Sequence, residues 1–342
     1  MRNLCIFLFF ALLASACEEE KKGLAESKGL PAELVVVVSP QMSKNENEDT
    51  LNSVVDADAP GLASSERIFR SMTIGEKVYE KGFKMMHSQL FVKIDPSVKE
   101  PSLGIAHDVY ATPQLQIMVK APTEKQMRQY LSQNRERIQN LILDFQLDRF
   151  AGILRRQYSK KTLDDLRPLG YEVFMPVDLV ATKSGKNFLW ASSNRGGDRD
   201  VNFVFYTYPW NGENVADTSL FVARRDSVMK ANIPGSQPDQ WMTTARGEQG
   251  IPVVWASLRK IGGEARYEVR GLWEMHHAFM GGPFVSLVTV DTVERRVVVG
   301  EGFVFSPNSS KRDLLRSVEA GLRTIQKSTK PVDRTHYPDL PK

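Results

Sequence analysis

The chain has 342 residues, and its 45 lysines and arginines nearly balance its 41 aspartates and glutamates, which leaves a formal net charge of +4. The basic residues are scattered along the chain, whereas a nucleic-acid-binding surface needs a basic stripe or patch. The sequence therefore excludes a dedicated nucleic-acid-binding protein. Hydrophobic residues at 42% and charged residues at 25% are ordinary values for a globular protein that is large enough for a substantial core.

The N-terminal residues predict a secretory signal peptide over residues 1–16. Met1 and Arg2 are followed by an apolar run from Leu4 to Leu13 and then by small residues. A helix of that run spans about 15 Å, roughly half of a bilayer core, so it is too short to cross a membrane. The only cysteines are Cys5, within this segment, and Cys17. The remaining fold is therefore expected to contain no disulfide and no thiolate metal site.

The segment Leu13-Ala-Ser-Ala-Cys17 resembles the lipobox of bacterial lipoproteins, with Ala14 where that pattern usually has leucine or valine. The resemblance implies cleavage before Cys17, acylation of its thiol and amine, and a mature protein that is anchored to a membrane through Cys17. The alternative is an ordinary signal peptide that is cut near Ala16.

Residues 17–32 are predicted to be a flexible tether. The acidic run that follows Cys17, Glu18-Glu-Glu20, resembles the surface-export signal of Bacteroidota lipoproteins, which implies a domain facing outward from the outer membrane. The alternative is a solvated linker that carries no localisation signal. Either way, we expect a lipid-anchored protein of the cell envelope, periplasmic or surface-exposed.

Residues 33–166 are predicted to form an N-terminal α+β half. Three apolar segments indicate strands: Leu34–Val38, Gln89–Ile94 and Gln114–Lys120. The polar, acidic segment Gln41–Ala59 is predicted to be a loop, and Ser64–Glu80 is predicted to be a helix. Thr123 and Gln126 form a capping-box pattern before a helical pattern that continues to about Tyr158. A helix of that length would span about 50 Å, so we expect a break near Gly152.

Residues 167–327 are predicted to form a C-terminal α+β half, followed by a polar tail over residues 328–342. Short apolar segments separated by turn residues indicate largely antiparallel strands. These segments are Tyr171–Met175, Asn187–Ser192, Asn202–Tyr208, Trp241–Arg246, Pro252–Ile261, Arg266–Glu274, Phe284–Val290 and Arg295–Phe305. Helices are predicted over Asp217–Met229 and from Ser310, where Asp313 and an apolar stripe follow.

One arrangement occurs three times along the chain. The strand segments that begin at Ile117, Phe203 and Phe303 each end in a proline, at Pro122, Pro209 and Pro307, before a polar link and a helix. Proline ends a strand because it lacks the amide donor. We therefore predict an α+β fold of mixed and antiparallel sheets, with helices packed on one face in repeated strand-proline-helix units.

Three segments carry a resemblance to a known family. Arg270–Ser286 contains Arg-Gly-Leu-Trp and Phe-Met-Gly-Gly-Pro-Phe-Val-Ser, Val297–Pro307 contains Val-Gly-Glu-Gly-Phe, and Arg224–Val228 reads Arg-Arg-Asp-Ser-Val. Together they are similar to the bacterial lipoprotein family called domain of unknown function 4837, over roughly residues 34–326. The resemblance implies a Bacteroidota lipoprotein, and the family has no assigned catalytic residues to transfer.

The chemistry of the densest of these segments allows several interpretations. Adjacent His276 and His277 would point to opposite faces of a strand, whereas Glu274 and His276 would share a face and are the candidates for an acid/base pair or metal ligands. Further ligands would have to come from His87, His107 or Glu301, whose spacing gives no support. The alternative for the two histidines is a partly exposed loop pair, and no metal site is predicted.

Glycines and aromatic residues suggest binding instead. Gly281-Gly282-Pro283 is predicted to be a turn, although glycines also permit the close approach of a ligand to the backbone. Trp210 lies in a turn and Trp273 on a strand, and exposed aromatic side chains would stack on sugar rings or anchor a protein partner. Core packing is the alternative for the aromatic residues of the strands, which are Trp190, Tyr206, Tyr208, Trp241, Trp255 and Trp273.

No other pattern indicates an enzyme or a cofactor. The chain has no nucleophile elbow, no zinc-binding helix and no phosphate loop, and Asn194–Arg199 is predicted to be a hairpin loop. We therefore expect a non-enzymatic envelope accessory that binds a protein partner, for example an outer-membrane protein. The alternatives are a glycan- or peptide-binding lipoprotein and a hydrolase centred on Glu274 and His276.

Overall fold

A computed structural model describes residues 23–193 and 199–329, and every structural statement below refers to these residues. The signal peptide, Cys17, most of the segment Asn194–Arg199 and the tail beyond residue 329 lie outside them. Within the described ranges, every helix is too short or too polar to cross a membrane.

The N-terminal half is built on a five-stranded sheet. Its strands are β1 (Glu33–Val38), β2 (Arg70–Gly75), β3 (Ser88–Ile94), β4 (Ser102–His107) and β5 (Leu115–Ala121). They lie in the order β2-β1-β3-β5-β4, and only β4 runs antiparallel to its neighbour. The sheet is therefore mixed, as predicted.

Helices cover both faces of this sheet. They are α1 (Asn45–Val55), α2 (Glu76–Gly82), α3 (Glu124–Gln133) and α4 (Arg135–Leu154). Apolar residues of α1, α3 and α4 bury one face, which carries Val36, Leu90 and Ile117. The opposite face, with Val35 and Val37, packs against Tyr79 of α2.

Two predicted elements of this half are wrong. The segment Gln41–Ala59 contains α1 rather than a loop, because Leu51, Val54 and Val55 are buried against the sheet and α4. The segment Ser64–Glu80 contains β2 and the start of α2 rather than one helix. Pairing with β1 fixes β2 as a parallel edge strand, which local periodicity does not reveal.

The long helical pattern is broken twice: at Asn134, between α3 and α4, and after Leu154, two residues beyond Gly152, where α4 ends close to the predicted break. The Asn134 side chain donates to the carbonyl of Tyr130 at 2.9 Å, and its backbone leaves the helical region. Asparagine side chains compete for backbone groups in this way and favour helix ends. The predicted capping box is confirmed at its first residue, since Thr123 Oγ1 accepts from the amide of Gln126 at 3.3 Å.

The C-terminal half is built on an eight-stranded sheet. The elements of this half are α5 (Lys160–Leu166), β6 (Tyr171–Glu172), β7 (Ala181–Gly185), β8 (Phe188–Ser192), β9 (Asp200–Pro209), α6 (Thr218–Asn232), β10 (Met242–Thr244), β11 (Val254–Ile261), β12 (Glu264–Met275), β13 (Gly281–Asp291), β14 (Arg296–Phe305), α7 (Arg312–Leu322) and β15 (Gln326–Lys327). The strands of the sheet lie in the order β10-β12-β13-β14-β9-β8-β7, with β11 also paired to β12, and all pairs are antiparallel. The predicted α+β class is confirmed.

Helices again cover both faces, whereas the sequence predicted helices on one face. Leu315, Val318 and Leu322 of α7 pack on the face that carries Phe203 and Phe205, and Phe221 and Met229 of α6 pack on the face that carries Val204 and Tyr206. The central strands are apolar at successive positions, so both of their faces must be buried. The predicted repeat of strand-proline-helix units is therefore not confirmed.

The two halves meet through α4 and α7. Ala320 of α7 belongs to the apolar core of the N-terminal half. Arg323, just after α7, donates to Asp148 of α4 at 2.8 Å and to Asp144 at 3.1 Å. Helix α7 therefore lies between the eight-stranded sheet and α4, and it contributes to both cores.

Candidate functional site

The candidate acid/base residues lie where β12 ends and the chain turns into β13. Glu274 is exposed near the end of β12, and His276 follows the last strand residue. His277 adopts a left-handed conformation with φ of 57°. The prediction that the two histidine rings point to opposite faces is wrong, because the turn stacks them with centroids 3.8 Å apart.

These histidines belong to a column of stacked side chains. The His276 ring also stacks on Trp241 at 4.2 Å, and the Lys230 ammonium lies 3.9 Å from the Trp241 ring centroid. At the other end, His277 Nδ1 lies 2.9 Å from a carboxylate oxygen of Asp239, and this hydrogen bond lowers the pKa of Asp239. Stacking and charge contacts therefore account for the histidine positions.

The other suggested ligands lie on separate elements. His87 is buried between Ser88 Oγ at 2.7 Å and the carbonyl of Leu30 at 3.0 Å, and burial lowers its pKa. His107 is exposed on β4. The described residues contain no group of three or more histidines, cysteines or carboxylates that could hold a metal ion. The described residues thus give no geometric support to a metal site at Glu274 and His276, on which one form of the alternative hydrolase depends.

The glycine pair lies within strand β13 rather than in a turn. A Cβ atom on Gly282 would lie 2.2 Å from the carbonyl oxygen of Val304, and one on Gly281 would lie 2.7 Å from that of Trp273. The two glycines and the buried Pro283 therefore allow close approach of the protein's own strands. This packing explains the glycines without a ligand.

The two candidate tryptophans are placed differently. Trp273 is buried, and its indole Nε1 donates to the Val304 carbonyl at 3.2 Å. Trp210 is half-buried at the edge of the same core, and its Nε1 donates to the Glu213 carbonyl at 3.0 Å. Both indole N–H groups are therefore engaged within the protein.

A buried ion pair joins the three segments that carry the family resemblance. Arg225 of α6 and Glu301 of β14 are both 0% exposed, and Arg225 Nη2 lies 2.7 Å from Glu301 Oε1. The Ser286 hydroxyl of β13 donates to Glu301 Oε2 at 2.8 Å. The motif residues thus converge on a closed structural contact within the core.

The sequence patterns did not predict this ion pair, although one feature of the sequence points to it. Glu301 is the only charged residue of the segment Val297–Phe305, which is otherwise apolar or glycine. A charge that is forced into such a strand needs a buried partner of opposite sign. The partner is on another element, so the sequence pattern alone does not identify Arg225.

Strand β11 presents an open edge. It pairs with β12 on one side, and no described strand pairs with its other side. Four successive residues, 255–258, are exposed, with Trp255 at 53% and Leu258 at 62%. Natural edge strands are usually blunted by proline, charge or a covering element, and these four positions carry neither proline nor charge.

The backbone pattern shows which groups of β11 face outward. The Leu272 amide donates to the Val253 carbonyl, so residues 253 and 272 form a hydrogen-bonded pair. Such pairs alternate along antiparallel strands, so Trp255 and Ser257 turn their amides toward β12. Ala256 and Leu258 then direct their N–H and C=O groups away from the sheet.

A groove runs beside this edge, between the two halves. Its volume is about 710 Å³, and its walls include Trp255 and Ser257 of β11 and Gln139 of α4. Arg259 of β11 also lines the groove and bridges to α4, since it donates to Asn140 at 3.0 Å and to Asp144 at 2.7 Å. The groove and the open edge together form the candidate binding surface.

Comparison with protein families gives two matches. Residues 27–155 match the model "Domain of unknown function (DUF8532)", and residues 159–324 match "Domain of unknown function (DUF4837)". The predicted resemblance is therefore confirmed for the C-terminal residues, whereas the earlier part matches a different family. No curated protein matches the chain.

Comparison with solved structures gives a distant match. A crystal structure from Bacteroides thetaiotaomicron matches at 11% sequence identity with a TM-score of 0.27, covering 48% of this chain. The match spans 47% of that protein, so this chain corresponds to about half its length. The match to the DUF4837 model covers the segment that contains the eight-stranded sheet and helix α7.

Proposed function

We propose that this protein is a lipid-anchored, non-enzymatic protein of the bacterial cell envelope that binds a protein partner by strand addition to β11. The observation that carries the proposal is the open edge of β11, where Ala256 and Leu258 direct outward backbone groups that pair with no strand of the described residues. An extended segment of a partner, for example an outer-membrane protein, would pair with these groups. In this mode of recognition, main-chain hydrogen bonds supply affinity and neighbouring pockets supply specificity.

The groove supports this function because it offers a place for partner side chains. Trp255 is half-exposed at its wall and is one of the residue types that most often anchor interfaces. On the other sheet face, Leu258 is exposed beside Tyr267, its cross-strand neighbour. A bound strand would therefore cover apolar surface on both faces of the sheet edge.

The envelope location is supported by the sequence up to Cys17. Acylation of Cys17 would place the edge of β11 near membrane proteins. Mass measurement of the mature N-terminus tests this part, with a diacylated or triacylated Cys17 as the expected result. An unmodified N-terminus beyond Cys17 would contradict it.

The binding mode is tested with the full chain, tether intact, by cross-linking in membranes and mass spectrometry. Leu258→Pro removes an outward N–H while leaving the bonds to β12, since proline is tolerated on strand edges. Leu258→Ala is the matched control, because it removes the same side chain but keeps the N–H. We expect the partner to be lost with proline and largely kept with alanine.

Hydrogen exchange supplies the second measurement. Binding of the cross-linked partner is expected to slow exchange at the amides of Ala256 and Leu258. A partner that binds the Leu258→Pro protein as well as the parent, without protecting these amides, would show that β11 is not the site.

A further inference from the structure

A second concave site lies on the α6 face of the eight-stranded sheet, away from β11. Its volume is about 410 Å³, within the range of small-molecule pockets. Its walls are mainly apolar and include the aromatic side chains Trp190, Trp273, Phe303 and Phe305. Three methionines complete the lining, of which Met280 is half-buried.

Four polar side chains of this cavity, Trp190, Ser192, Asp200 and Asn202, are hydrogen-bonded to one another. Trp190 Nε1 donates to Asn202 Oδ1 at 2.9 Å, and Asn202 Nδ2 donates to Asp200 at 3.0 Å. The Ser192 hydroxyl also donates to Asp200, at 3.0 Å. A sugar in the cavity would leave buried hydroxyls without strong partners, which is costly. The lining therefore favours an apolar occupant over a glycan.

The charges and the shape narrow the class of ligand further. The charged lining residues are Lys183 and Asp200, which have opposite signs, so neither a cation nor an anion has a clear advantage. Aromatic walls favour offset or edge contacts with a ring. Methionine side chains adapt to rings of different outline.

We propose that this cavity binds an uncharged, ring-bearing apolar molecule. The site shares no lining residue with the groove at β11, so it stands whether or not β11 binds a partner. The ligand lies against Trp190 and displaces water from the apolar walls.

Fluorescence titration of the full chain with two matched probes tests the proposal. N-phenyl-1-naphthylamine is uncharged, and 8-anilino-1-naphthalenesulfonate carries nearly the same aromatic body with an added sulfonate. We expect saturable binding of the uncharged probe, about tenfold tighter than that of the anionic probe, because the sulfonate must be desolvated. Equal affinity for the two probes, or no saturable binding of the uncharged one, would overturn the proposal.

Variants locate the probe. Met280→Asp places a charge in the cavity and is expected to weaken binding about tenfold or more. Val293→Asp, at a position that is 79% exposed in the turn between β13 and β14, is the control and is expected to bind like the parent. Thermal unfolding checks that both variants fold.

Energy transfer provides an independent measurement that does not depend on the stability of the Met280 variant. Excitation of tryptophan in the parent protein is expected to sensitise the bound uncharged probe, and Trp190→Phe is expected to reduce this transfer while keeping a ring in the wall. Unchanged transfer in that variant would place the probe elsewhere and refute the assignment.

Discussion

Arg225 and Glu301 show how single residues of this protein serve the core. Both are fully buried, and their neighbours continue the network: Arg225 Nη1 donates to Thr244 Oγ1 at 3.1 Å, and Thr244 Oγ1 donates to Asp226 at 2.7 Å. A buried charge that loses its partner is strongly destabilising, even where the pair itself adds little net stability. The family motif therefore reflects structural requirements.

Removal of one member of this pair is expected to destabilise the protein. We expect Arg225→Met and Glu301→Leu each to lower the free energy of unfolding by about 3–5 kcal/mol, because each leaves an uncompensated buried charge. The double variant is expected to lose less than the sum of the two. Urea unfolding measures these values, and Arg224→Met at the exposed neighbouring position is the control. Additive losses in the double variant would contradict this explanation.

Removal of the Tyr206 hydroxyl, in contrast, is not expected to destabilise the protein. This hydroxyl is buried without a hydrogen-bond partner among the described residues, and burial raises its pKa. An unsatisfied buried polar group costs about 1–3 kcal/mol. We therefore expect Tyr206→Phe to keep or raise the free energy of unfolding, measured in urea. A clear loss of stability would show that the hydroxyl has a partner after all.

At the residue scale, the sequence showed which residues are unusual but not which residues they contact. It identified Glu274, His276 and His277 as unusual, but their arrangement depends on the left-handed turn at His277 and on Trp241 from another element. Arg225 was part of a recognised motif, yet its partner is 76 positions away along the chain. Long-range pairing of this kind is not encoded in local spacing.

At the scale of elements, α7 depends on the other half of the chain. The sequence predicted that the helix opens at Ser310 with Asp313, whereas it begins at Arg312. The Glu66 carboxylate caps it, accepting from the amides of Lys311 at 2.8 Å and Arg312 at 3.1 Å. A carboxylate in this position also interacts favourably with the helix dipole.

This cap predicts a pH dependence. Burial raises the pKa of Glu66, but the hydrogen bonds from the Lys311 amide, the Ser310 hydroxyl and the Arg312 amide outweigh it, so the pKa is lowered below 4.5. A lowered folded-state pKa contributes stability that is present above pH 4.5 and is lost as the pH falls through the folded-state pKa. We expect Glu66→Gln to be less stable than the parent at neutral pH, with the difference shrinking in acid.

Thermal unfolding between neutral and acidic pH measures this difference. Glu66→Ala is expected to cost about 1 kcal/mol at neutral pH, as for other N-cap losses. Glu80→Gln, in the exposed ion pair with Lys84, is the control and is expected to change little. If the parent and the Glu66→Gln protein differed in stability by the same amount at both pH values, the proposed cap would be contradicted.

The strands that the sequence predicted well are those with continuous runs of apolar residues. Strands β9, β13 and β14 are buried on both faces, so the sequence located each within a few residues. Helix α1 and strand β2 have little apolar surface of their own, and their form depends on packing against α4 and β1. The open edge of β11 depends on which strands pair, which is likewise a tertiary property.

At the scale of the whole molecule, α7 carries buried charges at the boundary between the two halves. Arg270 of β12 donates to Glu268 at 2.8 Å and also pairs with Glu319 of α7. Nearby Arg316 is buried, which lowers its pKa to about 10, and it contacts Gln146 of α4. Separation of the halves would expose these charges and the apolar surface around Ala320.

We therefore expect the full chain to unfold in a single cooperative transition. A fragment of residues 159–329 is expected to melt at a lower temperature, because α7 loses the cover of α4. Differential scanning calorimetry measures both proteins. Two transitions in the full chain, one of them at the melting temperature of the fragment, would show that the halves are independent.

Under the proposed lipid anchor, contacts near the start of the described residues would limit how far the folded body can lie from a membrane. Glu26 pairs with Thr112 and Lys28 pairs with Met86 in isolated bridges. The stretch from Cys17 to Glu26 has a contour length of about 30 Å when fully extended. With fatty chains on Cys17, this short tether would keep the folded body within about one domain diameter of the lipid headgroups. A distance this short would favour a partner whose bound segment lies close to the bilayer. It would disfavour a partner whose bound segment lies far above the membrane.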